Sequence, residues 1–323
     1  MAPFGDPAVY SIYGTVIASR HRFNSHLKES TDEPELRFEV VDRAPLPEGW
    51  RDVAPSFDGR HDDVGTKMVG SVVEVDGVLA ARFSSLADFF IGAKSIACHL
   101  HDRRYAFAID IWLLGTVMSL WLERRGIPTL HAAAVETDGR AVAFMASSKG
   151  GKSTLAAGMM QQGARLLTDD VLAIDQASDR VLARPGYPQM RLWPDQARAL
   201  LGSDRDLERV QPGSPKLRVP VGPPGFGAFQ PRSTRLAAIY LPERGLHDEV
   251  VTEPAPLAEA LVVLVGQSFL AGVTEALGLA PARFRAFSSV LRQVPIRRIR
   301  YPSDVGRLAE VCDAVRADLS SLG

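Results

Sequence analysis

The amino-acid sequence predicts an α/β fold in which a glycine-rich loop joins a buried strand to a helix, behind a β-rich N-terminal region. Three observations carry this expectation. Arg140–Met145 reads as an apolar strand that runs directly into Ala146-Ser147-Ser148-Lys149-Gly150-Gly151-Lys152-Ser153, with a helix to follow. A second short strand, Arg165–Thr168, ends on Asp169-Asp170. Residues 1–105 hold β-branched and aromatic runs separated by turn residues.

In the N-terminal region the runs are Val9–Ser19, Leu36–Val41, Met68–Val75 and Val78–Phe83. The last two flank Asp76-Gly77, a dipeptide suited to a two-residue hairpin turn, and Asp42–Thr66 reads as loop. Ile111–Arg125 reads as a helix stopped by Arg124-Arg125-Gly126 and Pro128. It delivers the chain into Leu130–Val135, a small apolar strand, and Asp138-Gly139 turns that strand back into Arg140–Met145. Thr154–Gln162 is the helix after the loop, closed by Gly163. Beyond residue 176 prolines and glycines imply a loop-rich stretch around one helix, Pro194–Leu201. Leu236–Leu241 and Arg297–Tyr301 read as strands, and Leu257–Val265, Ser268–Leu277, Arg283–Val290 and Val305–Leu319 as helices. The division expected is a β-rich region over 1–105 and a loop-bearing domain over 106–323.

Composition bounds the function classes. Of 323 residues 46% are hydrophobic and 23% charged, enough for a sizeable core, and the net charge is −1. That balance does not point to nucleic acid or a membrane surface. Arg292, Arg297, Arg298 and Arg300 form a local basic cluster, read as a solvated face. Two cysteines, Cys98 and Cys312, cannot build a disulfide framework or a four-cysteine zinc site, and a cytoplasmic chain with two thiols is expected. The first residues lack a basic start and apolar run, so no secretory signal is expected. Phe107–Leu122 is the most apolar stretch, but it contains Asp110 and falls short of the about 20 residues a membrane span needs. It is expected to be a buried helix.

The loop carries the chemistry. A P-loop asks for Gly, four residues, then Gly-Lys-Ser/Thr, and here Ala146 stands at the first position. Gly150 and Gly151 let backbone N–H groups surround phosphate oxygens without a Cβ in the way, and the following helix adds its N-terminal partial charge. Ser147, Ser148, Lys149 and Thr154 complete the cradle. Lys152 would reach the β- and γ-phosphates of a nucleoside triphosphate, and the Ser153 hydroxyl would ligate Mg²⁺. Ala146 is tolerable provided that its φ is negative. Asp169-Asp170 offers two carboxylates at the carboxyl end of a strand, where α/β sheets hold ligands. Alternation along an extended backbone would aim them apart, one at the metal and one at an incoming hydroxyl. Asp170 is read as the metal-side residue and Asp169 as the base; a turn or helix cap is the plain alternative. His131 opens the strand before the loop strand, and histidine as a residue type exchanges protons near neutral pH. Weaker candidates are Arg184, Arg191, Lys216 and Arg218, which could close over phosphates, with Tyr187 and Trp193 flanking Arg191.

Taken together, His131, the loop 146–153 and Asp169-Asp170 resemble the catalytic core of the bacterial HPr serine kinase/phosphorylase family. The resemblance covers residues 125–180 best. It implies a nucleotide-binding core related to that of phosphoenolpyruvate carboxykinase, with ATP and Mg²⁺, a serine-hydroxyl acceptor, one Asp as general base and catalytic roles for His131 and Lys152. The family's downstream Arg-Gly-rich signature has no clean counterpart, and the N-terminal region is unlike the family's regulatory domain. The chain more closely resembles divergent HPr-kinase-like proteins of peptide-modification or exopolysaccharide systems, including kinases of the C-terminal serine of lasso-peptide precursors. The expected activity is therefore ATP-dependent transfer to a hydroxyl of a peptide or protein, with a homo-oligomer allowed. A nucleotide hydrolase or phosphorylase and a non-catalytic ATP sensor are the alternatives.

Overall fold

The computed structural model describes residues 6–58, 70–83, 86–177 and 180–322. Part of the expected loop (59–66) and the start of the strand expected from Met68 therefore lie outside the described residues. The chain separates into two compact units, Met1–Gly126 with Leu270–Pro281, and Ile127–Phe269 with Ala282–Gly323. Residues 106–126, grouped by sequence with the second region, belong to the first unit.

Among the described residues of the first unit, nine strands form one sheet: β1 (Ala8–Ile12), β2 (Thr15–Ser19), β3 (Lys28–Glu29), β4 (Leu36–Val40), β5 (Phe57–Asp58), β6 (Ser71–Val75), β7 (Val78–Phe83), β8 (Ala87–Ile91) and β9 (Ser95–Leu100). Their spatial order is β3-β1-β2-β4-β9-β8-β7-β6-β5. Tyr13-Gly14 breaks the run expected over Val9–Ser19 into a hairpin, both residues having positive φ. Asp76 and Gly77 adopt φ of 51° and 77°, the mirror-image turn that matches strand twist. Strands β8 and β9 were not anticipated.

One helical run, Arg103–Arg124, packs with this unit. It is longer than the apolar stretch suggests, long and apolar enough to cross a membrane by length and composition, yet most of it is buried in protein. Asp110 explains why a charge sits in it. This buried carboxylate accepts the backbone N–H groups of Asn24 (2.7 Å) and Ser25 (2.8 Å) and lies 3.0 Å from His21 Nε2. A π-helical turn over Leu113–Val117 interrupts the run, and the Leu114 carbonyl accepts the buried Tyr13 hydroxyl at 2.7 Å.

The second unit is built on a ten-stranded sheet among the described residues. Its strands are β10 (Thr129–Leu130), β11 (Ala132–Thr137), β12 (Arg140–Met145), β13 (Arg165–Thr168), β14 (Leu172–Ala177), β15 (Arg180–Ala183), β18 (Ala228–Phe229), β19 (Thr234–Gly245), β20 (Val251–Pro254) and β21 (Ile296–Pro302), while β16 (Gln189–Leu192) and β17 (Leu217–Pro220) pair separately. Every residue of β11 is buried. Ala133, Val135, Val142 and Phe144 face one core; Ala132, Ala134, Ala141 and Ala143 face another. Period-2 alternation thus supplies both faces from the same strands, and helices cover each. On the first face lie Leu155, Ala156 and Met159 of the helix Lys152–Gln161 with Val311, Cys312 and Val315 of the helix Leu308–Ser321. On the second are Ala260 and Leu264 of Leu257–Gly266 and Phe287 and Val290 of Ala280–Gln293.

Two expectations fail for identifiable reasons. Ser268 and Phe269 are not helical, because the Phe269 N–H donates to the Thr129 carbonyl (3.0 Å) and Ser268 bridges to Leu130, while Leu270 turns left-handed before a short helix, Ala271–Ala276. The arginine cluster is also not simply solvated. Arg297 and the Tyr240 hydroxyl (2.7 Å) both bind Asp318, Arg298 pairs with Glu243, Glu253 and Glu259, and Arg300 pairs with Glu253. Arg292 lies apart, in the last turn of its helix.

The Asp318 network holds the last helix to β19, β20 and β21. Removing its carboxylate leaves the largely buried Arg297 without a partner, so Asp318→Ala is expected to lose about 3–5 kcal/mol of stability in urea unfolding. A loss under about 1 kcal/mol would mean that water replaces the carboxylate at no penalty.

Candidate functional site

Sheet register assembles the site. β11 lies between β12 and β13 and runs antiparallel to both, with Ala132 opposite Met145 and Ala134 opposite Thr168. The start of β11 therefore meets the ends of its two neighbours at one edge. The residue before β11 is His131, the segment after β12 is the glycine-rich loop, and the pair after β13 is Asp169-Asp170.

His131 itself is not in a strand. It occupies the break between β10 and β11, where its N–H donates to the Gln267 carbonyl at 2.8 Å and its ring lies 6.1 Å from that of Phe269. The single strand expected over Leu130–Val135 is two pieces, and the break frees the imidazole to face Asp170.

The loop is tightly wound. Lys149 has φ 65° and Gly151 φ 89°, while Ala146 is not among the positive-φ residues, which meets the condition for Ala at that position. The Gly150 N–H donates to Ser147 O at 3.1 Å. A Cβ on Gly150 would lie 2.6 Å from Ala146 Cβ, and one on Gly151 would lie 2.6 Å from the Tyr301 hydroxyl. Ser147, Ser148 and Lys149 are exposed at the rim, whereas Lys152 is buried and its Nζ donates to the Ala146 (2.6 Å) and Ser147 (3.1 Å) carbonyls. The Thr154 hydroxyl is buried with no hydrogen-bond partner among the described residues.

The two carboxylates separate, but not as alternation predicts. The chain leaves the strand after Thr168, and Asp170 adopts φ 82°. This left-handed turn sends the side chains to different partners. Asp169 Oδ1 accepts the Ser153 hydroxyl at 2.7 Å, and its Oδ2 accepts the Arg191 N–H at 2.8 Å. Asp170 Oδ1 lies 3.2 Å from His131 Nδ1, which is also 3.1 Å from the Asp170 carbonyl, and Oδ2 accepts from Arg191 Nη1 at 3.1 Å. Asp169, not Asp170, stands against the hydroxyl expected to ligate the metal.

Of the weaker cations Arg191 reaches this centre, because β16 carries it there. Its Nη2 donates to the Tyr187 hydroxyl at 3.3 Å, and burial pushes the Tyr187 phenol pKa up, keeping it protonated. Arg184 pairs with Asp175 at 3.0 Å, and the buried Arg218 pairs with Glu208 at 3.3 Å. Lys216 and the loop's Lys149 both lie 5.6 Å from the Trp193 ring centroid. Tyr301 went unsuspected, since only the β19–β21 register brings it under the loop. Its burial pushes the phenol up to about 12.

No protein-family model matches the chain, and no curated protein matches it. Among solved structures it is similar to the Hpr(Ser) kinase/phosphatase from Coxiella burnetii, at 13% identity and a TM-score of 0.28, over 59% of this chain and 98% of that one.

Gly151→Ala tests the loop geometry. Its φ alone disfavours an L side chain by about 1–2 kcal/mol, and the Tyr301 hydroxyl blocks the methyl. The variant is expected to melt several degrees below the parent; an unchanged melting temperature would contradict the loop conformation.

Proposed function

We propose that this chain is an ATP- and Mg²⁺-dependent kinase that transfers a γ-phosphoryl group to a hydroxyl, with a serine of a peptide or protein as acceptor. The observation that carries this reading is the contact between Ser153 Oγ and Asp169 Oδ1 at 2.7 Å. A hydroxyl and a carboxylate held together at the start of a loop helix are the donor set that hard, oxygen-seeking Mg²⁺ takes in P-loop proteins. The loop fits a phosphate chain equally well: two glycines where side chains would collide, a lysine ammonium inside the turn, and a Thr154 hydroxyl awaiting a partner. Bound there, Mg²⁺·ATP would supply the transferable phosphoryl group with its charge partly neutralised.

The remaining roles follow from the contacts of each side chain. Lys152, its ammonium held inside the loop by the Ala146 and Ser147 carbonyls, is the cation that would meet the β- and γ-phosphates. Ser153 and Asp169 would hold the metal. Asp170, fixed between His131 and Arg191, is the group that accepts the acceptor hydroxyl's proton. An arginine beside a carboxylate weakens it as a base, but phosphoryl transfer asks more of positioning than of basicity. Tyr187 and Asp170 together orient Arg191, whose guanidinium can meet charge developing on the transferred group. The peptide or protein serine rests on the resemblance in sequence to HPr-kinase-like proteins, which includes lasso-peptide precursor kinases and their core type. Use of ATP fits a cytoplasmic setting.

A hydrolase would present water in place of the acceptor, and an ATP sensor would have no need of a second carboxylate held apart from the metal pair. Lys152→Ala decides whether the loop binds the nucleotide. It is expected to weaken ATP binding in calorimetry and to lower phosphate transfer into serine-containing peptides by about 10²–10³-fold. Parental ATP affinity together with full turnover would falsify the assignment.

A further inference from the structure

The first unit carries a second constellation, independent of the kinase reading. Strands β8 and β9 pair so that Asp88 stands directly opposite His99. His101 follows two residues later and continues the ladder, its N–H donating to Leu86 O at 3.0 Å, so alternation returns it to the face of His99. The His99 and His101 ring centroids are 5.4 Å apart, and His101 Nε2 lies 2.8 Å from Asp88 Oδ2. One ligand atom from each of the three residues lies within 4.8 Å of the other two.

This grouping is incompletely satisfied. Asp88 is wholly buried, yet its Oδ1 has no hydrogen-bond partner among the described residues, and neither has His99 Nδ1. A buried polar atom left without a partner is destabilising. Two such atoms in one cluster of imidazoles and a carboxylate call for a common ligand. We propose that Asp88, His99 and His101 form a binding site for a borderline divalent cation of the Zn²⁺ type.

The donor set selects the metal class. Two imidazoles and one carboxylate suit Zn²⁺ and its first-row neighbours, whereas Mg²⁺ and Ca²⁺ prefer oxygen-only sites. Ligands about 2.1 Å from one tetrahedral ion stand about 3.4 Å apart. A set already within 4.8 Å closes if its widest pair draws in by at most about 1.4 Å, which side-chain torsions can supply. Three protein ligands leave a coordination position open for water or an exogenous group.

Local charge sets the terms of binding. Asp88 is also the partner of Arg51 at Oδ2, and Arg82 Nε lies 3.8 Å from Oδ1. A dication and Arg51 compete for the same carboxylate. Arg51 can yield, since its side chain is 41% exposed and its guanidinium already lies 4.7 Å from the Trp50 ring centroid, a second favourable resting place. Arg51 is therefore an intrinsic competitor of the metal, and its removal should strengthen binding.

The test titrates Zn²⁺ into the chelator-treated full chain by calorimetry, with Mg²⁺ present throughout, and follows Co²⁺ by its visible ligand-field bands. The parent is expected to bind about one equivalent of Zn²⁺ at this site. His101→Ala, at an exposed position, should weaken it more than ~10-fold and abolish the Co²⁺ bands. Arg51→Met should tighten it. Absence of saturable binding in the parent, identical binding in His101→Ala, or weaker binding in Arg51→Met would overturn the proposal.

Discussion

The placement of β11 between β12 and β13, antiparallel to both, is the constraint on which the candidate site depends. A strand in that position must start where its neighbours end. The edge so defined receives His131, the glycine-rich loop and the acidic pair together, although they are separated along the chain. Burial enforces the register. Every residue of β11 is buried, and its alternate side chains fill two distinct cores, so a one-residue slip would exchange the two faces. The stability of the sheet and the geometry of the site are thus the same packing problem.

Within that edge, hydrogen bonds divide the work between two adjacent carboxylates. Asp169 accepts the Ser153 hydroxyl and the Arg191 backbone N–H, while Asp170 faces His131 and the Arg191 guanidinium. Two carboxylates side by side repel, and their separation reduces that repulsion while supplying each with its own donors. The left-handed backbone at Asp170 is what permits it. A strained conformation of this kind persists only where surrounding contacts fix it, and Asp170 has them on both oxygens.

Much of this arrangement was legible in the sequence because its signals are local. Asp76-Gly77 and Asp138-Gly139 form the expected turns, and the loop, its helix and the acidic strand end follow from residue type and spacing. Signals that depend on tertiary register were not legible. Nothing local reveals that Tyr301 comes beneath Gly151, that β16 carries Arg191 to the acidic pair, or that β10 and β11 part at His131. The separate directions of the two aspartates have the same origin. Period-2 alternation assumes an extended backbone, and the chain abandons it one residue earlier. Asp110 points correctly to a buried helix, but its partners, the Asn24 and Ser25 N–H groups, are likewise set by tertiary structure.

The division of roles between the two carboxylates is the central claim, and the most direct measurement compares Asp169→Asn with Asp170→Asn. Each variant is assayed for Mg²⁺-dependent ATP binding and for single-turnover phosphorylation of the same serine peptide. Asp169→Asn is expected to lose the Mg²⁺ dependence of binding. Asp170→Asn is expected to bind ATP as the parent does and to lose transfer by roughly the 10²–10⁴-fold typical of general-base removal. The opposite pattern, or near-parental transfer in both variants, would contradict the account.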